Sequence, residues 1–192
     1  MKFLNITLFN SLMIFLLTVS LFALSAPSFT QDYKVKKVGK AFSHPWGISV
    51  FDNDEVLITE RGGHLFKVNI ENGSRIKISN LPEVFNVRQG GLLDVIVDKE
   101  SVSERNVYIC YSSKVAGGSS TTLMAGTLKK DKLISKKILF KSNNVSESGV
   151  HFGCRLAILN DEIFMSIGDR GNRYEAQDAN SHAGAVIRVN KY

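Results

Sequence analysis

Two residues of this sequence have the types and the setting for proton transfer. His151 stands directly before a strand-like run, and a second run beyond it ends in Gly168-Asp169-Arg170-Gly171. An antiparallel pair of such runs brings its outer ends together, which sets an imidazole beside a carboxylate. That is the pairing a general base needs. The same residues have plainer readings: a hydrogen-bonded structural histidine, and an aspartate that closes a turn through its own side chain. His151 and Cys154 lie three positions apart near a strand start, so their side chains point to opposite faces, which disfavours a cysteine–histidine nucleophile. The sequence contains no Cys-x-x-Cys, no His-x-x-x-His and no EF-hand loop, so no metal site is read from spacing. It also lacks a phosphate-cradling Gly-x-Gly-x-x-Gly and the βαβ pattern of nicotinamide folds.

The elements that must position these residues are short strands throughout. Apolar or alternating runs cover residues 46–51, 55–60, 64–70 and 74–79, separated by Asp52-Asn53-Asp54, Arg61-Gly62-Gly63 and Asn72-Gly73. The last of these turns is a strong hairpin signal. The order then repeats over 92–97, 107–111, 121–128 and 133–140, and begins a third time over 156–159, 163–167 and 185–189. Residues 115–120 read as a Gly/Ser loop, and Tyr33, Val35 and Val38 alternate as in an edge strand. The second run of each group, starting at Glu55, Asn106 and Glu162, sets a polar residue before an apolar stretch. Groups of four strands at a period of roughly fifty residues predict an all-β fold, a β-propeller of which this chain covers about three blades. A β-sandwich also has many short strands, but it lacks this repeat.

A propeller closes with about four to eight blades. The sequence is therefore expected to be the N-terminal half of a longer protein. Residues 1–26 read as a secretory signal peptide: Lys2, an apolar run from Leu8 to Leu24, and the small residues Ala23, Ser25 and Ala26. The signal segment is the only membrane contact expected, and a periplasmic or secreted location follows. An uncleaved anchor is the competing reading. Residues 30–192 then form the partial propeller. The net charge is +6, but the lysines are scattered without interleaved aromatics, so no nucleic-acid partner is expected. Cys110 and Cys154 both lie in apolar strand patterns, where a buried free thiol is the common outcome, although an exported chain would allow them to pair.

Six motifs in order carry a family resemblance: His44-Pro45-Trp46-Gly47, Thr59-Glu60-Arg61-Gly62, Gln89-Gly90-Gly91-Leu92-Leu93-Asp94-Val95, His151-Phe152-Gly153-Cys154-Arg155-Leu156, Gly168-Asp169-Arg170-Gly171 and residues 182–190. Together they resemble the soluble PQQ-dependent glucose/sorbosone (aldose sugar) dehydrogenases, which are six-bladed propellers. The resemblance implies a quinoprotein that oxidises an aldose at C1 to the lactone. His151 would be the general base and Asp169 its orienting partner, with hydride passing to PQQ and Ca2+ polarising the quinone. Gln89 falls where the family places a sugar-facing glutamine; by itself, before Gly90-Gly91, it reads as a turn cap. Tyr174 falls where a polar sugar contact is common. Arg155 and Arg170 read as loop braces, with a cofactor contact through Arg170 also open. The main PQQ-clamping residues and the calcium ligands are expected in later blades. The implied partner is a small aldose, and the electron acceptor is not named by the sequence. Two alternatives stay open: a non-catalytic propeller fragment that binds a sugar or a protein, and a metal-dependent lactonase, for which no acidic ligand set is evident.

Overall fold

A computed structural model of the chain describes residues 33–100 and 105–191; the signal-peptide reading falls outside them. Residues 33–37 form a separate unit from residues 38–191. They carry no strand, which corrects the expected edge strand: Val35 is exposed and has no sheet to alternate against.

The described residues form eleven strands, in three antiparallel meanders. The first sheet is β1 (Pro45–Val50), β2 (Glu55–Glu60), β3 (His64–Asn69) and β4 (Arg75–Lys77). The second is β5 (Leu92–Val97), β6 (Arg105–Val115), β7 (Gly118–Lys129) and β8 (Lys132–Lys141). The third is β9 (Gly153–Leu159), β10 (Glu162–Ile167) and β11 (Val186–Asn190), with a 3₁₀ turn at Glu175–Gln177 between β10 and β11. These are blades 1 and 2 and most of blade 3 of a β-propeller. Among the described residues no helix is long and apolar enough to cross a membrane.

Period-two side-chain alternation explains how the blades stack. Blade 2 is apolar on both faces. Leu92, Val95, Val107, Ile109 and Met124 join Leu57, Leu65 and Ile78 of blade 1 in one core. Leu93, Tyr108, Cys110 and Leu123 join Phe152, Leu156, Ile163 and Met165 of blade 3 in a second. That is why β5 reads as an apolar run broken only by Asp94 while β9 and β10 alternate.

The cysteines pair. Cys110 on β6 and Cys154 on β9 form a disulfide with a Cα–Cα separation of 6.5 Å. The free-thiol expectation is corrected because the two strands belong to facing sheets, which spacing along the chain does not reveal. The Gly/Ser segment at 115–120 is also corrected: β6 and β7 run into it and leave only a tight turn. The hydroxyls in and beside this segment have protein partners. Ser113 Oγ and Thr122 Oγ1 lie 2.7 Å apart, Ser120 Oγ donates to the Ser142 carbonyl at 2.7 Å, and Thr121 Oγ1 donates to the Phe152 carbonyl at 2.9 Å. A strand can therefore be polar in sequence and buried in structure.

Candidate active site

In blades 1 and 3 the start of the first strand lies opposite the end of the second, Pro45 pairing with Glu60 and Gly153 with Ile167; in blade 2 Leu92 pairs with Tyr111, and β6 runs on past it to Val115. The segments before each first strand and after each second strand therefore share one rim. His151, Gln89 and Asp169 all sit in such segments.

At this rim His151 Nδ1 and Asp169 Oδ1 are 2.7 Å apart. A carboxylate only accepts, so the neutral ring carries its proton on Nδ1 and presents Nε2 as the proton acceptor. The Gly171 N–H donates to the same Asp169 oxygen at 2.9 Å. This bond first, and then the imidazole, hold the Asp169 carboxyl below the usual carboxylate range. Gly168 permits the approach: a Cβ there would run into the His151 carbonyl. The imidazole is more exposed than the carboxylate behind it.

The backbone of His151 is held as firmly as its ring. Its φ is 48°, a left-handed value that non-glycine residues seldom adopt. Its N–H donates to Gln89 Oε1 at 2.8 Å, and its carbonyl accepts from the Arg170 N–H at 3.3 Å. Gln89 in turn donates its own N–H to the Gly149 carbonyl at 3.0 Å. The structure thus brings Gln89, from blade 2, to His151, from blade 3, with the amide oxygen engaged by the His151 backbone.

The other sequence candidates are placed differently. Tyr174 caps the 3₁₀ turn and is 77% exposed, with its ring beside the Arg173 guanidinium at 5.3 Å. Arg170 is buried and spends its guanidinium on main-chain carbonyls and a serine hydroxyl. These contacts fit the loop-brace reading of Arg170. Arg155 is exposed on β9 and meets Asp94 at 3.2 Å. His44 is exposed, with Nδ1 3.3 Å from Ser43 Oγ. His64 pairs with Glu60 at 3.1 Å. His182 Nδ1 accepts from the Asn143 N–H at 3.0 Å, and its ring lies 4.9 Å from that of Phe140.

Asp94 belongs to the Gln89–Val95 motif, and as an acid within the apolar run Leu92–Val97 it marks a buried polar contact to which the sequence alone assigns no role. It is 2% exposed and accepts the Leu156 N–H at 2.8 Å. A Cβ on Gly47 would come within 2.6 Å of its Oδ1. One carboxylate thus touches all three blades behind the rim. Burial pushes its pKa up, against the Leu156 N–H and Arg155.

A quinone tricarboxylate calls for unspent cations around the base, and calcium calls for grouped oxygen ligands. Arg155 and Arg170 are committed as described. Arg61 has a buried Nε without a hydrogen-bond partner among the described residues. Among the described residues no three His, Cys, Asp or Glu side chains gather as a metal site. The described residues around His151 do not by themselves form a cradle for PQQ or calcium.

The pattern of the Glucose / Sorbosone dehydrogenase family matches residues 42–192. The chain belongs to that family. It is 31% identical over 151 residues to the aldose sugar dehydrogenase YliI of Escherichia coli, an alignment covering 76% of this chain and 41% of that protein. Its fold matches the crystal structure of the soluble aldose sugar dehydrogenase of E. coli in its apo form, with a TM-score of 0.72 and 30% identity over 78% of this chain and 44% of the other. It also matches the fold of the PQQ-bound aldose sugar dehydrogenase of Streptomyces coelicolor, with a TM-score of 0.68 and 22% identity over 80% and 46%. The chain spans about two fifths of the length of the curated relatives it matches.

Proposed function

We propose that this chain carries the general base of a PQQ-dependent aldose dehydrogenase. His151 takes the proton of the anomeric hydroxyl on Nε2 as C1 is oxidised to the lactone. Asp169 fixes the tautomer and faces the imidazolium that forms. Gln89 holds the His151 main chain through its amide oxygen and offers its NH2 to the sugar, and Tyr174 lies at the entrance as a further polar contact. PQQ, where bound, supplies the two-electron acceptor for the C1 hydride. Its cradle and the calcium ligands are assigned to blades other than these three. Residues 1–26 act as an export signal, which puts the protein in the periplasm or outside the cell, and residues 30–192 are the propeller segment.

The observation that carries this reading is the 2.7 Å contact between His151 Nδ1 and Asp169 Oδ1 at the blade rim. The test is a dye-linked assay with an aldose panel, PQQ and Ca2+ on the protein at its full genomic length. His151→Ala is expected to lower kcat by about 10²–10⁴; an unchanged rate would remove His151 from the role of base. A second reading, a non-catalytic sugar- or protein-binding propeller segment, is favoured by the commitment of Arg155 and Arg170 to protein partners. Sugar binding by this chain without any quinone binding in a PQQ titration would support it.

A further inference from the structure

We infer that Arg170 is a positioning residue for His151, a buried guanidinium that grips both chain neighbours of the base and refers them to blade 2. The inference rests on the reading of His151 as a base. Arg170 is 2% exposed. Its Nε donates to the Val150 carbonyl at 2.9 Å, Nη1 to the Ser119 carbonyl at 2.9 Å, and Nη2 to Ser119 Oγ at 2.9 Å and the Ser146 carbonyl at 3.2 Å. The guanidinium carbon lies 3.7 Å from the centroid of the Phe152 ring. One side chain thus touches the residue before His151 and the residue after it.

The main chain of Arg170 adds to the grip. Its N–H donates to the His151 carbonyl at 3.3 Å, and its carbonyl accepts from Ser148 Oγ at 2.6 Å. Asp169 is the next residue back, so the residue that anchors this loop also anchors the carboxylate on Nδ1. Ser119 lies on β7, and Ser146 is bridged to it beyond β8. The base is therefore located against the neighbouring blade as well as against its own hairpin. This accounts for the left-handed backbone of His151, since such a conformation persists where its surroundings over-determine it. A planar fork of five donors suits four separated acceptors and an aromatic face, and a lysine cannot match it. Burial lowers the pKa of Arg170 to about 10, which leaves it charged at neutral pH.

The test compares wild type with Arg170→Lys and Phe152→Leu, using ring-¹⁵N-labelled histidine to read the His151 tautomer and the dye-linked assay to read kcat and KM. Wild type is expected to hold the Nδ1–H form. Arg170→Lys keeps the charge and loses the fork; it is expected to mix the tautomers and lower kcat about 10- to 100-fold with KM little changed, the signature of a displaced catalytic group. Phe152→Leu is expected to shift both in the same direction by less. Wild-type tautomer and kcat in both variants, each folded and disulfide-bonded, would overturn the proposal. Should Arg170→Lys fail to fold, Ser119→Ala takes its place with the same readouts, and an unmoved tautomer there overturns it equally. If the tautomer shifts in the variants while wild type oxidises no aldose, the positioning role stands and the sugar-oxidation reading falls.

Discussion

A histidine and an aspartate 18 residues apart make a base only if something fixes which nitrogen is free. In the proposed role of His151, Asp169 does this as a carboxylate, and its pH behaviour follows from its partners. Its folded pKa is depressed, so its contribution to stability is present above the ordinary carboxylate value of about 4 and is lost as pH falls through the folded value. Asp169→Asn is expected to be less stable than wild type at pH 7, with the difference narrowing as pH falls below about 4, measured by urea unfolding across that range. In the dye-linked assay at pH 7, Asp169→Asn should lower kcat by roughly 10- to 100-fold, less than His151→Ala. The His151–Asp169 pairing was legible in the sequence because both residues sit at strand ends, where local patterning is informative. The roles of Ser119, Ser146 and Ser148 were not legible. A serine in a Gly/Ser stretch looks like loop until the neighbouring blade that supplies its partner is known.

The strand elements were legible as blades because each repeats an apolar second run, and hidden where pairing overrides composition. The cysteines show this limit. Cys110 and Cys154 sit in patterns that predict burial, and both are buried, but their union depends on two facing sheets. The disulfide joins β6 to β9 immediately beyond the His151 segment and closes a loop of 44 residues. Chain-entropy arguments give such a loop about 4 kcal/mol. Reduction, or Cys110→Ser with Cys154→Ser, is expected to lower the unfolding free energy by about that amount, read as a shift in urea midpoint with and without reductant. Equal midpoints would mean that the second core joins the blades without the bond. Asp94 is the polar counterpart of this staple, and its isolation in an apolar run is the kind of sequence signal that marks a buried contact between elements.

Across residues 38–191 the two terminal blades differ from the middle one. Blade 2 buries both faces, and blades 1 and 3 each bury one. On β1 the Gly47 N–H meets Thr59 Oγ1 and Ser49 Oγ accepts from the Val97 N–H of blade 2. The alternate residues Trp46, Ile48 and Val50 are turned to the other face and exposed, Ile48 at 61%. On blade 3, Cys154 and Leu156 face blade 2, while Leu159 and Val186 are exposed at 60% and 70%. A closed propeller covers such faces with adjacent blades, and uncovered apolar faces of this kind drive association. A polypeptide of residues 38–191 is therefore expected to self-associate at micromolar concentration. Ile48→Lys with Leu159→Lys should return it to the monomer without lowering its urea midpoint, because neither side chain belongs to the two cores. Size-exclusion chromatography with light scattering checks this directly. A wild-type polypeptide that stays monomeric would show that these faces are too small or too interrupted by Arg155 and Arg188 to associate.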